Sequence, residues 1–433
     1  WIDRGLERAD RPFDLELLGQ RSMMLFFAGR NVESIAIGRR VLRDAEASPA
    51  ARLRAITGIL PSCAVCGRLG EVKAELSTAF ELIGAVQEEL TIYQSGGVIV
   101  SSFLVNLFDG GYTTSDELFR GLHAAALTRP GDPFMGSWSF LLGRSALAQG
   151  RLGEAERYLR ESTAFLRDRD PGGMLTWSLA SLAQVLGMTG DGAGATDAVV
   201  DIDATRMHSV CHVDVEIELA RAWAAAARGE LSKARTMAED IGHRLVAEGA
   251  HATGALALHG ALRLGVEPER VAGALRVAAD ASDGAVLDAM AAHAEAAAVA
   301  DVDGLLGAAD AFERAGCLLC AAECAAAAGQ AAEAAGLRSQ ARAAMTRAAG
   351  LRAACGGAVT PLLAPLSERP GVDLLTRREH EVALMAARGM SKREIAEALF
   401  LSVRTVGNHI NHIYGKLAVQ SRDELRAAVD FRN

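Results

Sequence analysis

The sequence predicts an all-α protein, a solenoid of helical hairpins followed by a small four-helix domain. Three observations carry this. Aromatic residues make up 5% of a chain that is 50% hydrophobic, and alanine supplies much of the rest. Alanine is the best helix former and a poor strand former, so such a chain packs as close-set helices. Glycine-centred breaks recur at nearly constant spacing up to Cys355, and beyond it the composition changes abruptly.

The length of 433 residues argues for two or three domains. The chain starts at Trp1 rather than at methionine. No basic, apolar and small-residue leader pattern opens it. The most apolar window, Gly96 to Phe108, is too short and too polar to span a bilayer. A cytoplasmic protein with no membrane partner is expected. Seven cysteines, an odd and sparse set, do not make a disulfide framework and suit a reducing compartment. The net charge of −9 is unevenly placed: residues 371–433 hold 10 Lys/Arg against 8 Asp/Glu, and residues 1–370 hold 35 against 46. An acidic bulk with a mildly basic tail fits a chain whose tail alone meets a polyanion.

Through residues 1–355 apolar positions recur three and four apart, the helical period, and no alternating run is long enough to argue for a sheet. The breaks begin at Gly29, Gly67, Gly150, Gly190 and Gly229. Neighbouring intervals are 38, 40 and 39 residues, and the 83 from Gly67 to Gly150 is close to two such periods. Five residues after each glycine stands a short side chain: Ser34, Val72, Ala155, Ala195 and Ala234. The pattern is a helix, a glycine-closed turn, and a second helix whose short residue lets the pair pack closely. Stacked units of this kind form a solenoid in which each repeat completes its neighbour's core. The period exceeds that of a standard tetratricopeptide repeat, so the hairpins are tetratricopeptide-like. They make a sensor or interaction domain over 1–355.

Gly356 to Asp373 holds three prolines and three glycines in 18 residues. Proline removes a backbone donor and restrains the residue before it, which marks 356–372 as a linker and 373–433 as a second domain. There Thr376 precedes Glu379, Ser391 precedes Glu394, and Ser421 precedes Glu424. Each pair has the capping-box spacing of a helix start. Ser402 is a fourth N-cap, and Gly389 closes the first helix. Helices are expected near 377–388, 392–399, 403–417 and 422–430. Only Phe400 to Ser402 separates the second from the third, so the two must cross at a large angle, the helix-turn-helix arrangement. Ala396, Phe400 and Val406 stand where that motif wants a small residue, a turn residue and a core residue.

Along the third helix Val403, Val406, Ile410, Ile413 and Leu417 make one dry stripe. The opposite side carries Arg404, Gly407, Asn408, Asn411 and Gly415, flanked by Thr405, His412 and Lys416. Amides and cations bury poorly but read a groove well: asparagine pairs bidentately with adenine, and arginine with guanine or phosphate. Ser391, Lys392 and Arg393 would lie near the phosphate backbone, where amide donors and cations fix register. His409 reads as a packing and orienting residue. Gly407 is unexplained by helix formation, since glycine inside a helix costs about 1 kcal/mol relative to alanine.

The stretch from Leu375 to Leu425 resembles a LuxR-type DNA-binding domain. The match runs through Thr376, Arg378, Glu379, Glu381, Gly389, Ser391, Glu394, Ile395, Ala396 and Leu399. It continues through Ser402, Thr405, Val406, His409, Ile413, Lys416, Leu417, Ser421 and Arg422. The resemblance implies a four-helix domain that binds DNA through its third helix, usually as a homodimer paired through the fourth. It places base contacts on Gly407, Asn408 and Asn411, and phosphate contacts near Arg404, Thr405 and Lys416. Two positions depart from the family: Gly407, where a charged or long polar residue is usual, and Ala418, where glycine is usual. The helices around Ala311 to Gln330 resemble the helical-repeat half of large ATP-binding LuxR-type regulators, whose repeats sense a ligand or partner. No phosphate-loop pattern occurs, so no cofactor is expected on this chain. ATP enters only if an ATPase module lies upstream of Trp1.

Other clusters are explained by packing. Cys63 and Cys66 lack a second pair at zinc-finger spacing, and Cys317, Cys320 and Cys324 share a helical face as buried residues would. His208, Cys211, His212 and Asp214 have no further ligand tied to them by spacing. Nothing resembles a nucleophile elbow, a zinc-protease helix or a kinase loop. The chain is therefore expected to be a transcription regulator and no enzyme, with double-stranded DNA, RNA polymerase and a small-molecule or protein effector as partners. The alternative is a helical-repeat interaction scaffold with an accessory DNA-binding tail.

Overall fold

The computed structural model describes residues 11–86, 92–205, 213–364, 366, 377–387, 389–399, 401–417, 419, 421 and 425. Among the described residues the regular elements are helices, with no β-strand. They fall into two compact units, Trp1–Leu362 and Leu363–Asn433.

In the first unit the helices pair in chain order: α1 (Arg11–Phe27) with α2 (Asn31–Arg43), α3 (Pro49–Val65) with α4 (Leu69–Ala85), and α5 (Ile92–Asp109) with α6 (Thr113–Leu127). Next come α7 (Met135–Ala148) with α8 (Leu152–Asp168), α9 (Leu175–Thr189) with α10 (Gly192–Thr205), and α11 (Asp214–Ala227) with α12 (Leu231–Ala247). The last are α13 (His251–Arg263) with α14 (Pro268–Asp280), α15 (Ala285–Ala298) with α16 (Val302–Ala315), and α17 (Leu318–Ala334) with α18 (Arg338–Ala354). Each hairpin turns on a residue with positive φ: Gly29, Gly67, Gly110, Gly150, Gly190, Gly229, Gly265, Ala300 and Gly336. All five glycines singled out in the sequence are among them, and Gly110 supplies the turn that the doubled interval implied. At Gly150 the turn donates Gly150 N–H to the Leu147 carbonyl (3.0 Å) and Arg151 N–H to the Ala146 carbonyl (2.8 Å). This is the Schellman pair that satisfies orphan carbonyls at a helix end. Ser34, Val72, Ala155, Ala195 and Ala234 are all fully buried, which puts each short side chain in the packed interior of its hairpin.

From α1 to α15 the odd-numbered helices of successive hairpins pack on one another, and the odd-numbered helices carry most of the core. The array winds far enough for α3 to meet α13 and α5 to meet α15. A seam joins early turns to late ones. The Asp283 carboxylate accepts N–H groups from Leu69 (2.5 Å) and Gly70 (2.7 Å), and Asp283 N–H donates to the Gly67 carbonyl (3.0 Å). Asp109 accepts from Ala285 N–H (3.0 Å), and Leu318 N–H donates to the Gln149 carbonyl (3.3 Å). Residues 356–362, the start of the stretch set aside as a linker, pack with this unit: Val359 N–H donates to the Met188 carbonyl (2.9 Å), and Thr360 is buried.

Charges inside the array are paired, as burial demands. Arg144 meets Glu216, whose second oxygen accepts from Gln184 (2.7 Å). Arg263 grips Glu323 with two hydrogen bonds (2.6 and 3.2 Å) and lies over the Trp223 ring. Cys63, Cys66, Cys317 and Cys324 are buried free thiols, consistent with packing roles. Burial outweighs the nearby Arg68 charge at Cys66, and the Tyr112 hydroxyl and Arg263 charge at Cys317, and pushes both thiols up to about 11. His208, Cys211 and His212 lie outside the described residues. No helix among the described residues is long and apolar enough to cross a membrane.

Candidate nucleic-acid interface

The second unit is built from α19 (Arg377–Ala387), α20 (Lys392–Ala398) and α21 (Val403–Leu417). Local chemistry sets their ends. Gly389, at φ 85°, donates to the Ala386 carbonyl (3.0 Å), and Met390 N–H to the Met385 carbonyl (3.2 Å), so α19 closes in a Schellman turn. Ser391 and Glu394 form the expected capping box: Glu394 N–H donates to the serine hydroxyl (3.3 Å), and Ser391 N–H to the Glu394 carboxylate (2.7 Å). The backbone hydrogen bond from Ser391, then the side-chain one, holds this exposed carboxyl below its usual range. Ser402 caps α21 by accepting Thr405 N–H (3.1 Å), and the two hydroxyls share a further bond (2.7 Å). Thr376, Glu424 and almost all of the helix expected at 422–430 lie outside the described residues.

One apolar core fixes the crossing of α20 and α21. Val382, Ala383 and Ala386 of α19 pack with Ile395 and Ala396 of α20, with Val406, Ile410 and Ile413 of α21, and with Leu425. Leu401 N–H donates to the Ala396 carbonyl (2.9 Å), and the Arg378 guanidinium donates to the Leu399 carbonyl. Both bonds brace the turn between the two helices. Local spacing does not mark this brace at Arg378, because its carbonyl partner is 21 residues away. Ala396 and Val406 are buried as expected, while Phe400 lies outside the described residues.

The dry stripe on α21 needs one correction. Val406, Ile410 and Ile413 are buried, but Val403 is 50% exposed. It is the first residue of the helix, so no preceding turn covers it and it falls outside the packed arc. The Leu417 side chain is not among those described.

The face opposite the core is the one expected. Arg404, Asn408, Asn411 and His412 are exposed, Thr405, Gly407 and His409 half-buried. A Cβ added at Gly407 would meet nothing within 4 Å, so internal packing does not require glycine there. Lys416 lies on α21 with its side chain outside those described. Ser391, Lys392 and Arg393 are exposed at the start of α20. Arg393 pairs along its helix with Glu397 (3.4 Å). Among the described residues Lys392 and Arg404 have no carboxylate partner, and Asn408 and Asn411 make no hydrogen bond through their amides. The surface thus presents two cations and two amides whose hydrogen-bonding capacity is unspent.

Comparison with known proteins bears on both units. Residues 373–428 match the family model described as bacterial regulatory proteins, luxR family. Over 55 residues the chain is 49% identical to a protein of Aeromonas salmonicida named as an HTH-type transcriptional regulator in the exeN 3′ region, covering 13% of this chain and 28% of that protein. Over 52 residues it is 42% identical to the response regulator protein VraR of Staphylococcus aureus and of Staphylococcus saprophyticus, covering 12% of this chain and 25% of theirs. The chain thus spans about a quarter of the length of these curated relatives. A crystal structure of a Rap protein complexed with competence and sporulation factor superposes with a TM-score of 0.54 at 10% identity, covering 80% of this chain and 99% of that one. At that identity the likeness is one of fold. The segment 373–428 is a LuxR-family helix-turn-helix domain, and the array before it has a tetratricopeptide-like helical-repeat fold.

Proposed function

We propose that the chain is a DNA-binding transcription regulator in which α21 enters the major groove of operator DNA and the helical array senses a ligand or protein partner. The observation that carries this is the face of α21: exposed Arg404, Asn408 and Asn411, free of internal partners among the described residues, on a helix whose other side is locked into an apolar core. In this reading Asn408 and Asn411 pair with adenine edges, and Arg404 takes a guanine or a phosphate. Gly407 lets the helix backbone come close to the base edges. Ser391, Lys392 and Arg393 meet phosphates, with Thr405, His412 and Lys416 at the margins of the contact. The domain pairs as a homodimer through the segment after α21 and acts on RNA polymerase. Sensing by the array is supported by its likeness to the fold of a Rap protein that was crystallised with a bound factor.

The test is selection of duplexes from a random pool by the full chain, followed by mobility-shift titration at two salt concentrations. Recovery of a defined sequence, with affinity falling steeply as salt rises, is expected. Recovery of no duplex above a control lacking the protein overturns the reading. The size of the array favours a second reading, an interaction scaffold with an accessory tail. In that case deleting residues 363–433 would leave capture of the partner and the cellular phenotype unchanged.

A further inference from the structure

We propose that Val403, Gly407 and Asn411 form one reader of an adenine·thymine step, with a thymine 5-methyl group seated in the notch at Gly407. This rests on the DNA-binding reading above and specifies what one part of that face recognises. The three residues stand at i, i+4 and i+8 on α21, and residues four apart lie on one ridge of a helix. Along this ridge the side chains alternate in kind. Val403 is apolar and half exposed, Gly407 has open space where its Cβ would be, and Asn411 is an exposed amide.

Neither Val403 nor Gly407 is explained by folding. Val406, Ile410 and Ile413 are buried, whereas Val403 leaves a stiff β-branched side chain in water. Gly407 weakens the helix relative to alanine and relieves no internal clash. Together they leave a gap with an apolar wall on one side and a donor–acceptor pair on the other. A phosphate would want a cation at the gap, and none of these three residues supplies one. In the major groove a methyl group near a donor and an acceptor is the signature of thymine with its adenine partner. The amide of Asn411 then takes adenine N6 and N7, while the methyl of that pair or its neighbour fills the notch against Val403.

The test uses the full chain and the duplex recovered from the random pool. Each thymine is replaced in turn by deoxyuridine, which removes the methyl and keeps every hydrogen-bonding group. One replacement in each bound site should lower affinity about fourfold, the effect of returning one methyl group to water. In Val403→Ala that loss should shrink toward zero while the dependence of affinity on salt stays unchanged. Gly407→Val fills the notch and should likewise abolish the preference for thymine over uracil. Equal affinity for every uracil-substituted duplex overturns the proposal and leaves DNA binding intact. So does a methyl effect undiminished in Val403→Ala. Failure of the unmodified chain to bind any duplex removes the DNA-binding reading itself, and this proposal with it.

Discussion

At the scale of single residues, Asn411 and Lys392 separate reading from holding. Asn411 is exposed, makes no side-chain hydrogen bond among the described residues and lies on the face away from the core, so Asn411→Ala should leave the fold intact. If it pairs bidentately with a base, its loss relaxes discrimination at one base pair by about 1–3 kcal/mol, seen as degeneracy at one position when duplexes are reselected. Lys392 is exposed without a carboxylate partner among the described residues. Lys392→Ala should weaken binding to all duplexes about equally and lower the salt slope by about one. The opposite pattern, a sequence-dependent loss in Lys392→Ala, would exchange the two roles. Most of this face was legible because a helix repeats every 3.6 residues, so Val406, Ile410 and Ile413 define its dry side and the rest follows. Val403 was misread because periodicity assumes a neighbouring turn on both sides, and the first residue of a helix has one only on its C-terminal side. Thr405 shows the same limit: its place on the helix was clear from spacing, but its bond to Ser402 depends on side-chain rotation.

At the scale of elements, what could be read were features whose cause lies within a few residues. The capping box at Ser391, the N-cap at Ser402 and the glycine turns are all local, and each recurs in the structure. The late hairpins escaped for a local reason too. Ala300 stands at φ 51° where the other hairpins use glycine, and after Gly265 the next helix starts on Pro268, one step out of register with the earlier turns. Ala300 keeps the Schellman bonds, with Ala300 N–H to the Ala297 carbonyl (3.2 Å) and Asp301 N–H to the Ala296 carbonyl (2.9 Å). A Cβ in the left-handed region costs about 1–2 kcal/mol, partly offset by the lower entropy of alanine in the unfolded chain, about 0.4–1 kcal/mol. Ala300→Gly should therefore stabilise the array by about 0.5–1 kcal/mol in urea denaturation. Gly150→Ala is the reverse case. It adds left-handed strain at φ 79° and brings a Cβ to 2.7 Å from the Leu319 backbone nitrogen, so a loss greater than about 1 kcal/mol is expected. Equal stabilities for Ala300→Gly and the parent chain would mean that the turn relaxes without cost.

At the scale of the whole array, the winding was not legible, because its seam joins residues such as Leu69 and Asp283 that are 214 apart, and no local pattern marks such a pair. The same winding brings together His259 and His293, both buried, with Nε2 of the first 3.1 Å from Nδ1 of the second. One neutral ring donates and the other accepts. Phe312 packs on both rings, and Arg263, one helical turn from His259 and held by Glu323, is a charge that acts on both. Burial first, then the Arg263 charge, lowers His293 to about 4, and burial with both neighbours sets His259 well below its ordinary range. In the unfolded chain both titrate near 6.5. Above that pH neither state holds the extra protons, and the pair imposes no penalty. As pH falls below about 6.5 the unfolded chain binds protons that the folded interior refuses, so stability falls, and the His293 contribution levels off near pH 4. The loss is on the order of 3 kcal/mol for His293 alone. Urea midpoints of the parent chain and of His259→Leu/His293→Leu, compared between pH 7 and pH 4.5, isolate this effect from carboxylates common to both proteins. The double variant should lose markedly less stability over that interval. Parallel midpoints in the two proteins would mean that the imidazoles are protonated inside the fold, which the short contact between them and the proximity of Arg263 both oppose.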